Sequence, residues 1–324
     1  MKKIAFCIVF FVTAVAGAFS QKTVQLNYAL GGFNEINVSS SFSVYVEKGT
    51  DQSIVVVADE HIADDVRVTV SHGVLSIYLD NGRYGKITTL KAHVVTPELK
   101  GVKLTGSSDL TSEDTFATEK FTASLAGSSD LQINIRATDT NISAMGSSDV
   151  VMNVETINLK INAAGSSDAI LTGKSMNMIA DCAGSSTIKA SGLAVSEAKI
   201  SVIGSSDMVA KVQGGQLDAY VSGSSKVILE ADVPELKVSS IGASEVKLSG
   251  KAGLFKGSAT GSSGINAFEL VATDVILGVT GASSVKTYAE KTLNVSAVGA
   301  STVIYRGEPA LTSKLLGSST VRKQ

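Results

Sequence analysis

The sequence predicts an all-β fold, a single-stranded β-helix (β-solenoid) of about twelve coils of about 19 residues behind an N-terminal β-rich cap of irregular, longer coils. Three observations carry this. A glycine recurs at Gly106, Gly127, Gly146, Gly165, Gly184, Gly204, Gly223, Gly242, Gly261, Gly281, Gly299 and Gly317, at separations of 18 to 21 residues, most often 19. Aligned on that glycine, the columns two residues before it, two after it and four after it share parity and are apolar or serine, whereas the positions three before it and three after it, of the opposite parity, are mostly polar, as in Ser124, Ser143, Asn162, Asp181 and Ser201 and in Asp109, Asp130, Asp149, Asp168 and Asp207. Val, Ile, Thr, Ser and Gly dominate, and proline occurs only at Pro97, Pro234 and Pro309, the composition of a β-rich chain with many turns.

Residues 1–20 read as a secretory signal peptide. Lys2 and Lys3 precede an apolar run from Ile4 to Val15, and Ala18-Phe19-Ser20 places small residues where a signal peptidase cuts, after Ser20. The run is shorter than the roughly 20 residues a bilayer requires, and with no second apolar span no integral membrane segment is expected after cleavage. Cys7 departs with this segment, which leaves Cys182 without a partner for an internal disulfide.

Residues 21–99 form the cap. Alternation continues through Ile36, Val38, Phe42, Val44 and Val46 and again through Val66, Val68 and Val70. His72-Gly73 reads as a tight reversal before Leu75, and Asn81-Gly82 as another turn. Ile36 and Val38 before Ser40, with Val44 after it, match the coil register imperfectly, so longer coils continuous with the solenoid are expected here.

Residues 100–324 are the Gly-Ser-Ser solenoid. Side chains alternate across a strand, so the columns at −2, +2 and +4 point inward together. One coil cannot bury its inward face alone, and stacking is obligatory. Gly127, Gly146, Gly165 and Gly184, like the other motif glycines, are expected to supply either a positive φ or room for close backbone approach at a corner. Serine stands two residues later in every copy. Ser129, Ser148, Ser167 and Ser186 are expected to donate to the next coil or to a corner carbonyl, which satisfies polar groups inside. A nucleophilic role lacks a base, because His61, His72 and His93 all precede the repeats. A right-handed winding is favoured, although nothing in the repeat specifies its hand.

The outward column Asp109, Asp130, Asp149, Asp168, interrupted by Thr187 and resumed at Asp207, admits two readings. Aspartate favours solvated turns. Carboxylates about 4.8 Å apart also repel by roughly 1 kcal/mol per pair, which a divalent cation such as calcium would relieve. Lys226 and Glu245 interrupt any continuous metal ladder. No catalytic residue and no cofactor site is expected. Cys182 occupies an inward column and reads as packing rather than a reactive thiol. Gly214-Gly215 is a local turn, with no Lys-Ser/Thr after it to make a phosphate loop. Tyr220, Tyr288 and Tyr305 lie at different offsets and tryptophan is absent, so no aromatic stacking platform is expected.

With 28 basic and 30 acidic residues, the chain lacks the excess charge that points to nucleic acid or an anionic membrane. Several segments together resemble one family: Phe33-Asn34-Glu35-Ile36-Asn37-Val38, Phe42-Ser43-Val44-Tyr45-Val46-Glu47-Lys48-Gly49, Val70 through Gly73-Val74-Leu75-Ser76-Ile77, and Thr96-Pro97-Glu98-Leu99 leading into Gly106-Ser107-Ser108-Asp109. The chain is similar there to the bacterial family called putative auto-transporter adhesin, head GIN domain. That resemblance implies an exported β-helical protein of the cell envelope with no established biochemical activity. The expected function is a non-enzymatic structural or adhesin-like role, binding an envelope polymer, glycan or protein through the repetitive flank, in the periplasm, on the outer surface or after secretion. Two alternatives stand beside it: a calcium- or surface-binding solenoid using the Asp/Ser/Thr column, and a carbohydrate-active β-helix enzyme, for which no acid/base constellation can be assembled.

Overall fold

A computed structural model describes residues 22–80, 82 and 84–324. The signal-peptide reading and the Asn81 half of the Asn81-Gly82 turn lie outside the described residues. The fold is almost entirely β, with a β-solenoid of about 12 turns. The described residues divide into two compact units, split between Asn153 and Val154.

The first unit contains β1 (Thr23–Tyr28), β2 (Glu35–Val38), β3 (Ser43–Lys48), β4 (Ser53–Asp59), a 3-10 turn at Glu60–Asp65, β5 (Val66–Ser71), β6 (Val74–Leu79), β7 (Leu90–Thr96), β8 (Gly101–Gly106), β9 (Asp109–Gly127) and β10 (Asp130–Gly146). β11 (Asp149–Gly165) begins in it. β10 lies parallel on β9, pairing Asp130 with Asp109 and Gly146 with Gly127. The 21-residue spacing from Gly106 to Gly127 exceeds the next by two. The register absorbs this between Gln132 and Asn134, away from the glycine corner.

The cap is built of irregular, longer coils: β6 and β7 lie parallel on β2 and β3, and β8 and β9 pair parallel with the same two strands. Ser40 takes the glycine position of a first coil: Val38 pairs with Leu104, Val44 pairs with Leu110, and the Ser107 N–H donates to the Ser40 carbonyl at 2.9 Å. The register that looked imperfect in sequence is therefore regular, disguised because Ser40 replaces glycine at φ 81° and Phe42 replaces the buried serine. Within the stretch from β4 to β7, inserted before the next coil, antiparallel pairs are added to these parallel ones, β1 with β4, β4 with β7 and β5 with β6. His72 and Gly73 both have positive φ and close the β5–β6 reversal, as a type I′ turn requires. Phe42, Phe116 and Phe121 are fully buried in this unit, and the aromatic volume of its core comes mainly from them.

The second unit continues with β12 (Asp168–Gly184), β13 (Thr187–Gly204), β14 (Asp207–Gln213), β15 (Gln216–Gly223), β16 (Lys226–Gly242), β17 (Glu245–Gly261), β18 (Gly264–Gly281), β19 (Ser284–Gly299), β20 (Thr302–Arg306), β21 (Ala310–Gly317) and β22 (Thr320–Lys323). Pairing is parallel throughout, glycine on glycine: Gly184 with Gly204, Gly223 with Gly242, Gly242 with Gly261. Gly214 and Gly215 separate β14 from β15 as a local break. The inward files of Leu, Val, Ile and Ala are buried from coil to coil, as in Met208, Val227, Val246, Ile265 and Val285.

Candidate binding face of the repeat

The corner explains why each copy needs glycine followed by serine. All twelve motif glycines have φ between 78° and 96°, a region that costs an L side chain about 1–2 kcal/mol. The carbonyl of the glycine one coil earlier also fills the space a Cβ would take, for example 2.5 Å from it at Gly146 and 2.6 Å at Gly184. Both requirements thus act at one position. The next residue's N–H donates to that same carbonyl, Ser147 to Gly127 at 2.7 Å and Ser185 to Gly165 at 2.8 Å.

The serine hydroxyl then turns back on its own corner. Ser129 donates to the Ala126 carbonyl at 3.3 Å, Ser148 to Met145 at 3.0 Å and Ser167 to Ala164 at 3.1 Å. Rung-to-rung links add to this, from the Ser129 N–H to Ser148 Oγ at 3.4 Å and from the Ser167 N–H to Ser186 Oγ at 3.2 Å. All four serines are buried. Hydroxyls spent on carbonyls in a closed core satisfy backbone acceptors and have no route to a substrate.

The acidic column faces outward. Asp109 stands opposite Asp130. Partial burial first, and the Asp130 charge second, push the Asp109 carboxyl above its usual value, against the hydroxyl of Ser43 that donates to it at 3.5 Å. Asp149 is exposed beside buried Val150. In the second unit Asp168 pairs with Thr187, Thr187 with Asp207, Asp207 with Lys226 and Lys226 with Glu245, so the file alternates in chemistry. Among the described residues, no group of three or more His, Cys, Asp or Glu side chains is placed to hold a metal ion.

Cys182 is buried in the −2 file opposite Val202, its thiol donating to the Ser186 carbonyl at 3.2 Å. Burial, with smaller contributions from Asp207 and Asp168 and a hydrogen bond to Ser206 opposing them, pushes its pKa up to about 11.

A shallow concave face lies on the second unit, where two outward files run side by side. One passes through Lys199, Asp218, Lys237, Lys256 and Ile276, the other through Ser201, Tyr220, Ser239, Ser258 and Gly278. A depression of about 370 Å³ is lined by Asp218, Lys237, Ser239, Lys256, Ser258, Ile276 and Gly278. A second, of about 210 Å³, shares Asp218 and Lys237 and extends to Glu197, Lys199, Gln216 and Glu235. Gly278 contributes no side chain to its file, which opens the floor. In the core of the neighbouring coil Phe255 is fully buried and, with Leu277, reaches into the space that a Cβ on Gly257 would need, a large-small exchange between neighbouring inward positions. Glu235 bridges Lys256 at 2.8 Å and Lys237 at 3.6 Å. The Lys256 hydrogen bond, aided by the charge of both lysines and opposed by burial, holds its carboxyl below the usual range.

The structure also brings together residues that no spacing in the sequence linked. Tyr45 and His93 lie ring to ring at 5.5 Å, and His93 Nε2 meets Glu47 Oε2 at 3.0 Å. Their only local signal was the unbroken apolar run Ile54–Ala58, which places valines on the outward side of β4 beside them.

Three solved structures align over nearly the whole chain. A putative adhesin from Parabacteroides merdae is 15% identical, covering 94% of this chain and 96% of its own, with a TM-score of 0.33. A putative adhesin from Parabacteroides distasonis is 18% identical over 94% and 97%, TM-score 0.35. A putative lipid binding protein from the same species is 17% identical over 93% and 96%, TM-score 0.32. Nothing about ligand or activity transfers at these values. No curated protein matches the chain. A family model does, over residues 32–228 and 209–309, a span that includes the Ser40 corner and most of the glycine corners. The chain belongs to the family described as putative auto-transporter adhesin, head GIN domain.

Proposed function

We propose that the protein is an adhesin-like, non-catalytic protein of the cell envelope that holds a linear surface polymer across the outward files of residues 154–324. The observation that carries this reading is the register of the Lys199–Ile276 and Ser201–Gly278 files. Successive coils present side chains at one fixed interval of about 4.8 Å, a spacing suited to a ligand whose own groups repeat. Two adjoining depressions run along those files and supply lysines, serines and an exposed isoleucine as contacts. Family membership supports an adhesin-like role and an exported location. Among the described residues no helix is long and apolar enough to cross a membrane. The non-catalytic part of the reading is supported by the repeat serines, whose hydroxyls are buried against carbonyls.

The test is co-sedimentation of residues 22–324 with purified peptidoglycan, chitin, cellulose and cross-linked polygalacturonate, beside a Lys237→Ala/Lys256→Ala variant. Retention on at least one polymer, weakened about tenfold in the variant, is the expected result. Retention on none, or equal retention by the variant, refutes the reading.

A further inference from the structure

The first unit carries a second concave surface, built by strand pairing rather than by the repeat. β3 lies parallel to β7 and β9, and β7 runs antiparallel to β4. The registers place Val55, His93, Tyr45 and Thr111 in one row across four strands, and Val57, Lys91, Ser43 and Asp109 in the next. All eight belong to the outward face, because the residues between them, among them Val44, Ile54, Val56, Ala92, Val94 and Leu110, are buried. Together with Glu47 they line a groove of about 600 Å³, within the range of small-ligand sites.

Its chemistry narrows the ligand. A solvated sheet face ordinarily carries polar side chains, yet Val55 and Val57 are half-buried apolar groups, and Tyr45 is 40% exposed. The Tyr45 ring lies beside the His93 imidazole, centroids 5.5 Å apart and planes tilted by 37°, and the two rings line the groove together with Val55 and Val57 as one largely apolar wall. Hydrogen-bonding groups surround it: Glu47 on His93 Nε2, Asp109 beside Ser43, and the Tyr45 phenol. Partial burial and then the carboxylates of Glu113, Asp114 and Glu47 raise the Tyr45 pKa, so the phenol remains a donor. The charge is lopsided, with Glu47, Asp109, Glu113 and Asp114 set against Lys48 and Lys91. That balance disfavours an anionic ligand and leaves acceptors free to take hydroxyl donors. An apolar wall with hydroxyl acceptors at its rim suits a ring that has C–H groups on one face and hydroxyls around its edge.

We propose that this groove binds a neutral pyranose residue of a glycan, with Tyr45 and His93 as the stacking wall and Glu47 and Asp109 as hydroxyl acceptors. It is a site separate from the lysine and serine files, and its test distinguishes the two. Residues 22–324 would be titrated with cellohexaose, chitohexaose and mannohexaose by saturation-transfer NMR and calorimetry. At least one hexasaccharide is expected to bind and to show saturation at its C–H protons. Tyr45→Thr, which keeps a strand-forming residue, should weaken it about tenfold or more, whereas Tyr45→Phe should retain most of the affinity. Lys237→Ala/Lys256→Ala should leave it unchanged. The proposal is overturned if no hexasaccharide binds at millimolar concentration. It is equally overturned if Tyr45→Thr binds as well as the parent, or if binding is lost only in the lysine variant, which would place the sugar on the repeat face.

Discussion

Gly146→Ala separates the two reasons for glycine at the corner. Gly146 has φ 88°, and a Cβ there would lie 2.5 Å from the Gly127 carbonyl oxygen and 3.1 Å from its nitrogen. Gly32 has φ 80° with nothing within 4 Å of the same position, so Gly32→Ala carries the backbone strain alone. That strain costs about 1–2 kcal/mol, reduced by about 0.4–1 kcal/mol because alanine restricts the unfolded chain, and Gly32→Ala should lose about 1 kcal/mol. At Gly146 the carbonyl must also retreat. The retreat breaks the 2.7 Å hydrogen bond from the Ser147 N–H, worth about 1 kcal/mol, and crowding adds roughly 1–3 kcal/mol. Gly146→Ala should therefore lose about 3–5 kcal/mol. Urea unfolding followed by far-UV circular dichroism measures both variants, and hydrogen exchange at the Ser147 amide reports the broken bond directly. Equal losses within 1 kcal/mol, with Ser147 still protected, would refute the steric half of the argument.

Other outcomes follow from single side chains. Ser148→Ala removes the donor to the Met145 carbonyl and the acceptor of the Ser129 N–H, and should cost about 1–2 kcal/mol in the same urea assay. Cys182, with its thiol pushed up to about 11, should resist iodoacetamide at pH 8 until the chain is unfolded, and rapid labelling of the native protein would contradict its burial. Asp59 is fully buried. Burial acts to raise its carboxyl, but the hydrogen bonds from the Thr88 N–H and hydroxyl and the Thr89 N–H outweigh it and hold the pKa below its usual value. Its stabilisation is thus present above the unfolded value of about 3.9 and lost as pH falls through the lower folded value. Asp59→Asn should destabilise the protein at pH 7 and flatten the acid limb of the stability curve, and an unchanged acid limb would count against it. Calcium titration should give no heat with either the parent or an Asp130→Ala/Asp149→Ala variant, since among the described residues no three carboxylates are grouped to hold the ion.

The repeat was legible because twelve copies could be superposed on one glycine, and side-chain parity then separated inward from outward columns. What the copies could not reveal was hidden for physical reasons. The Ser40 corner uses neither glycine nor the buried serine, and only pairing with Leu104 and Leu110 exposes it. The Tyr45 groove depends on strands whose facing residues, Glu47 and His93, are 46 positions apart. A single-copy region has no second example against which to set such a pair, and antiparallel insertion lets a distant strand arrive beside β3 without any periodicity.

The contrast between two adjacent columns indicates where recognition resides. The position two residues after the glycine is serine in all twelve coils, because its hydroxyl must serve a carbonyl inside a closed stack. One residue later, in the second unit, the outward file reads Asp168, Thr187, Asp207, Lys226, Glu245, Gly264, Ser284, Thr302 and Thr320, with the neighbouring backbone bonds kept between 2.9 and 3.1 Å from Thr187 to Thr320. Acid, base, hydroxyl and no side chain at all are accepted there by the same backbone ladder. Stability of the coil therefore places almost no demand on its outward side chains, and their chemistry is left to be set by whatever the surface contacts.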